Sequence, residues 1–320
     1  MTERPTVPRP APITPDIDAY GHRNRAEALA DWLELAAIAD RPINSAQLGD
    51  LISDNSWSRK QPRQFRVPEG LESEMTPENH VDAVKKVLDR RNETLDHLWP
   101  FEIQDSWQVV KREGASLDVP YVALLCLTVA HAWGLSTKVD PEVILESTVV
   151  RALRAMGIVA AQVGTAVDER GDFENAVEGA AKHLGLPSNV NAVTHSLRAK
   201  DEGVDTLALV GWPSDRRRAG QWVFVGQATV GQSQTWERKI REPDTDHWAQ
   251  RLLQPFEPQV FLAVPHQVSA EHLTRLVSNK TGLVIDRLRF ALSLSDVSSD
   301  EKDVIDVVLS AGVYDGRAAA

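Results

Sequence analysis

With one cysteine in 320 residues, Cys126, the chain can form neither an internal disulfide nor a zinc knuckle, and a reducing cytoplasm is the expected home. It also lacks any apolar run long enough for a membrane span. The most apolar stretch, residues 121–133, has the length of a buried helix instead. The opening MTERPTVPRP has no apolar core segment, so no secretory leader is expected. There is no P-loop spacing, which assigns any motor activity to a separate protein, and there are no internal repeats. Positive charge is scarce overall. The net charge of −11 argues against a general nucleic-acid binder.

What is present is ordinary for a globular protein: 42% hydrophobic and 25% charged residues, with room for two modest domains. Residues 1–22 are rich in proline and poor in large apolar side chains, and read as a disordered arm. Residues 23–164 read as an α-helical domain. AEALADWLELAAIAD and HVDAVKKVLDRRNETLDHL carry apolar residues at three- and four-residue spacing. A further helix follows Pro42, with Ser45 as its cap. Residues 100–103 read as a connection. VPYVALLCLTVAHAWG is apolar all round and belongs at the centre of a bundle, and residues 141–164 continue as helix. Glu146 there reads as a surface acid favoured by the helix dipole.

The pattern changes near Gly164. GDFENAVEGAAKHLGLP predicts an amphipathic helix with Phe173, Val177 and Leu184 on one side, stopped by Gly185 and Pro187. Strands are expected at residues 189–195, 204–210, 221–226, 260–264 and 283–285. Helices are expected at 235–253, broken near Pro243, and at 269–279, and residues 296–313 form a closing helix. The expected class is therefore α+β or α/β: an N-terminal helical domain followed, over residues 165–295, by a mixed sheet flanked by helices, then a C-terminal helix and tail over 296–320.

The chemistry gathers around a hairpin. DEGVD opens its first strand, the basic turn SDRRRAG joins the strands, and the second strand ends on a glutamine, Gln227. The next helix carries Trp236 and Lys239. Residues 198–290 hold 13 Lys or Arg against 11 Asp or Glu, so this part of an acidic chain is locally basic.

The helix bearing Phe173-Glu174, then DEGVD, a strand ending in glutamine and a W-x-x-K helix start resemble the restriction-endonuclease-like PD-(D/E)XK nuclease superfamily, nearest its Mrr-like and phage-defence branches. Asp286-Arg287-x-Arg289 adds to the likeness, which covers about residues 165–295. The resemblance implies a metal-dependent nuclease that hydrolyses phosphodiesters, of DNA by analogy, in an antiviral or restriction-type defence setting. It casts Asp205 as the central metal-binding carboxylate, Glu174 as a second acid and Gln227 as an amide ligand. Oxygen-only ligands of this kind suit Mg2+ or Mn2+. Two residues after Gln227, where that pattern places a lysine, stands Thr229, and Lys239 is the candidate replacement.

Arg216, Arg217, Arg218 and Lys200 are the candidate phosphate contacts. Trp212, Trp222 and Trp236 either stack on bases or pack in the core. His266 is either a proton-transfer group or a histidine satisfied at a sheet edge. The helical domain, being acidic, suits a protein partner or a second copy of the chain. The alternative function is a catalytically inactive module of the same fold, binding nucleic acid or assembling a complex.

Overall fold

The structure is a computed structural model that describes residues 25–54, 77–105, 107–163, 170–189, 203–211, 221–278 and 282–311. Its N-terminal part holds α1 (Arg25–Ile38), α2 (Ser45–Asp54), α3 (Pro77–Leu95), α4 (Pro120–Ala132) and α5 (Pro141–Ala155). Asn44, not Ser45, caps α2. Its Oδ1 accepts the Gln47 N–H at 2.9 Å and its own N–H donates to Gln47 Oε1 at 3.0 Å, a reciprocal box that leaves Ser45 as the first helical residue. Every residue of α4 from Pro120 to Ala130 is buried, as an all-apolar helix requires. The connection expected at 100–103 is instead a strand. Phe101 is fully buried, and β1 (Phe101–Gln104) pairs antiparallel with β2 (Gln108–Lys111).

The helix expected to run to Gly164 stops at Ala155. Gly157 takes φ +81°, its N–H donates to Arg154 O, and the Ile158 N–H reaches back to Leu153 O. This paired closure around a left-handed glycine ends the helix. It turns residues 159–162 into β3 (Val159–Gln162). Glu146 is also not a surface acid. It lies more than a turn inside α5, on the side that packs against β3, where it is buried and its Oε2 accepts the Gln162 Nε2–H at 3.0 Å.

Beyond it come α6 (Arg170–Leu184), β4 (Thr206–Val210), β5 (Trp222–Ala228), α7 (Ser233–Lys239), α8 (Thr245–Arg251), β6 (Gln259–Ala263), α9 (Ala270–Ser278), β7 (Leu283–Ile285), α10 (Arg287–Ser293) and α11 (Ser299–Ser310). The five-stranded sheet has the order β3-β4-β5-β6-β7. Its first three strands run antiparallel, and β5, β6 and β7 run parallel. This is a mixed α+β architecture. The strand expected at 189–195 lies outside the described residues beyond Asn189, as do Lys200, Trp212 and the three arginines 216–218.

Alternation gives the sheet two buried faces. Leu207, Leu209, Val223, Val225 and Leu262 pack with Phe173 and Val177 of α6, Trp236 of α7 and Trp248 of α8. On the other face Ala160, Ala208, Phe261 and Ala263 join the core of α1, α3 and α4. Gly226 is required there: a Cβ at that position would lie 1.9 Å from the Phe261 ring. Among the described residues no helix is long and apolar enough to cross a membrane.

Between the N-terminal helices and the sheet lies a buried ionic cluster. Asp31 of α1 accepts Arg287 Nη1 at 2.6 Å and Nη2 at 2.9 Å, and Arg91 Nη2 at 2.7 Å. Arg91 also meets Glu34 at 2.8 Å, and Glu34 accepts Trp99 Nε1–H and Tyr121 O–H. Arg287 Nε donates to Pro265 O at 2.8 Å and Arg91 Nε to Gln267 Oε1. Burial pushes the Asp31 pKa up, but the two guanidiniums outweigh it and hold the acid below the usual carboxylate range. Removing one partner from such a cluster strands a buried charge. Arg287→Met is expected to cost about 3–5 kcal/mol in urea unfolding followed by tryptophan fluorescence, and Asp31→Leu combined with Arg287→Met less than the sum of the two.

Candidate functional site

Asp205 and Gln227 both lie against the C-terminal end of β5, and Lys239 is tied to it through Glu242. Asp205 precedes β4 and is tied down on both sides. Its N–H donates to Gly226 O at 2.8 Å, and its carbonyl accepts the Val163 N–H at 2.8 Å. Its carboxylate Oδ2 accepts the Ala228 N–H at 2.8 Å. The acid is 8% exposed, so its position is set by three strands at once.

Gln227 shares its face of β5 with Val223 and Val225 and is 2% exposed. Its Nε2 donates to Glu242 Oε2 at 2.9 Å, while its Oε1 is buried without a hydrogen-bond partner among the described residues. Leaving such an acceptor unsatisfied costs about 1–3 kcal/mol, so this oxygen marks a place suited to a donor or a cation. Lys239, the last residue of α7, puts its Nζ 3.1 Å from the same Glu242 Oε2. Arg238 Nη1 lies 3.5 Å from the other oxygen. The amide and the amine are therefore joined through one carboxylate.

Gly203 explains why DEGVD needs its glycine. It takes φ +71°, and a Cβ there would lie 2.9 Å from the Glu242 carbonyl carbon. The backbone before Asp205 thus presses directly on the residue that holds Gln227 and Lys239. Thr229 is committed elsewhere: its Oγ1 accepts the Gly231 N–H at 3.1 Å and its N–H donates to Ala263 O at 3.0 Å. Position 229 serves the turn after β5.

Glu174 faces a different partner. Its carboxylate pairs with Arg251 of α8, whose guanidinium lies over the rings of Phe173 at 5.5 Å and Trp248 at 5.7 Å. Trp236 is buried in the core, its Nε1–H on Gly231 O, and Trp222 is 70% exposed. Glu242 was absent from the sequence expectations. Its only signal was an acid three residues after Lys239, ahead of Pro243.

In donor chemistry the Asp205 carboxylate and Gln227 Oε1, both oxygen, are of the kind a hard divalent cation takes. Among the described residues no three His, Cys, Asp or Glu side chains gather as a ligand set, so the amide oxygen is integral to any such fit. Comparison with protein-family models, curated proteins and solved structures returned no match.

His266 sits in the turn after β6. Its Nε2–H donates to Val230 O at 3.2 Å, and its ring lies 5.3 Å from that of Trp236. Burial, followed by the Arg287 cation, lowers its pKa to about 4. Below pH 6.5 the unfolded chain takes up a proton that the folded chain refuses until about pH 4. The stability contributed by neutral His266 is therefore complete above pH 6.5 and lost as pH falls through that window, about 3 kcal/mol in all. Urea unfolding at pH 7.5 and 4.5 should show wild type losing more stability between the two than His266→Gln does.

Proposed function

We propose that the chain is a divalent-cation-dependent phosphodiester hydrolase acting on DNA in a defence setting, within the cytoplasm. The observation that carries this reading is the buried Gln227 Oε1, without a hydrogen-bond partner among the described residues. The next residue of its strand, Ala228, donates its N–H to Asp205, and the Gln227 amide is joined through Glu242 to Lys239. A mixed sheet with an acid and an amide at one strand end is what the PD-(D/E)XK resemblance implies, and the buried lone Cys126 accords with a reducing compartment.

Asp205 and Gln227 would hold Mg2+ or Mn2+, which supplies an activated water and neutralises charge on the phosphoryl oxygens. The chain's own part is positional. Three strands fix Asp205, and Glu242 holds Gln227. Lys239 has three N–H donors, of which Glu242 takes one, leaving others for a phosphate oxygen or the attacking water. Glu174, held by Arg251, steadies α6 against α8. Arg216, Arg217, Arg218 and Lys200 would contact the phosphate backbone, giving affinity that falls with salt.

A second reading, an inactive module of the same fold that binds nucleic acid or assembles with protein through its helical part, is favoured by one observation: Glu242 already neutralises Lys239. Incubating supercoiled plasmid with Mg2+ or Mn2+ separates the two. Cleavage by wild type, abolished in Asp205→Ala and lowered about 10²–10³-fold in Lys239→Ala, supports the hydrolase. DNA retained but uncut by all three proteins supports the second reading.

A further inference from the structure

Glu242 lies outside every motif that drew attention to the site, yet three of its neighbours depend on it. Its Oε2 accepts the Gln227 Nε2–H at 2.9 Å and lies 3.1 Å from Lys239 Nζ, and its backbone is pressed by Gly203. A glutamine side chain has two ends of similar shape, one donating and one accepting. If the amide turned over, Gln227 Oε1 would meet a carboxylate oxygen, acceptor against acceptor. The carboxylate therefore allows one orientation only, with Nε2 towards Glu242 and Oε1 turned away from it, where it is buried without a partner among the described residues.

Resting on the cation-dependent reading above, we propose that Glu242 is the positioning residue of this site: it sets which end of Gln227 is offered to the cation and holds Lys239 at the same edge. The reason for the glycine at 203 follows. Any side chain there would push the 242 backbone away and release both groups together. It also explains how an amide can stand where related patterns use an acid. An acid offers oxygen whichever way it turns, whereas an amide offers oxygen reliably only if something fixes its orientation. Glu242 does so, and in taking a Lys239 N–H it adds a negative charge beside a neutral ligand.

The test is Mn2+ binding to the full chain, read by electron paramagnetic resonance, with the unfolding midpoint as a check on folding. Glu242→Gln leaves either end of Gln227 acceptable and should weaken Mn2+ about 10–100-fold without shifting the midpoint. The exchanged pair, Gln227→Glu with Glu242→Gln, restores an oxygen ligand held by an amide donor and should recover binding to within about threefold of wild type. The side-chain amide signal of Gln227, assigned by its loss in Gln227→Glu, gives a readout in the unaltered protein. One amide proton shifted downfield by a charged acceptor supports the role, and two protons at free-amide positions overturn it. Mn2+ bound by Glu242→Gln as tightly as by wild type, with binding lost in Asp205→Ala, overturns the role while the hydrolase reading stands. Wild type binding Mn2+ no better than Asp205→Ala overturns both.

Discussion

A single carboxylate between two buried guanidiniums holds this protein's parts in register. Asp31 comes from the first helix, Arg91 from the third and Arg287 from the tenth, and the two arginines reach on to Gln267 and the Pro265 carbonyl in the turn after β6. None of these charges could be buried alone, because desolvating an unpaired ion outweighs what packing returns. Each is placed by the others, so the cluster specifies an arrangement more than it adds stability. The same turn carries His266, whose hydrogen bond to Val230 ties it to the residues following Gln227. The candidate site thus stands on a strand end fixed from one side by the helical part of the chain.

Local pattern revealed much of the second half of the chain. The hairpin, the break at Pro243, the strands at 259–263 and 283–285 and the amphipathic α6 were all legible, because each has its own periodicity and its own glycine or proline boundary. The misses share a cause. β3 is a short strand that follows a helix with only Met156-Gly157-Ile158 as its stop signal, and its apolar residues continue the helical composition. β1 hides in a short connection in which Phe101 is fully buried. Both are decided by what the strand pairs with, and pairing is not written in a local window.

The site was legible to a similar depth. Asp205, Gln227 and Lys239 are drawn together by a hairpin and the helix after it, a short excursion that sequence order conveys. Glu242 was not, because its importance lies in a contact with Gly203 and Gln227 that exists only once α7 has folded back. Glu174 shows the converse. It sits on the expected helix, but the arginine that claims it arrives 77 residues later. Arg287, noticed first as part of a motif, owes its burial to an acid 256 residues away.

The phenyl ring of Phe261 over Gly226 bears on how the site can move. A ring seated on bare backbone one residue before Gln227 leaves β5 no room to slide or buckle, since any shift drives the peptide into the aromatic face. The facing layer, two seven-residue helices that meet around Pro243, buries Trp236 and Trp248, so the Gln227 amide sits between two packed walls.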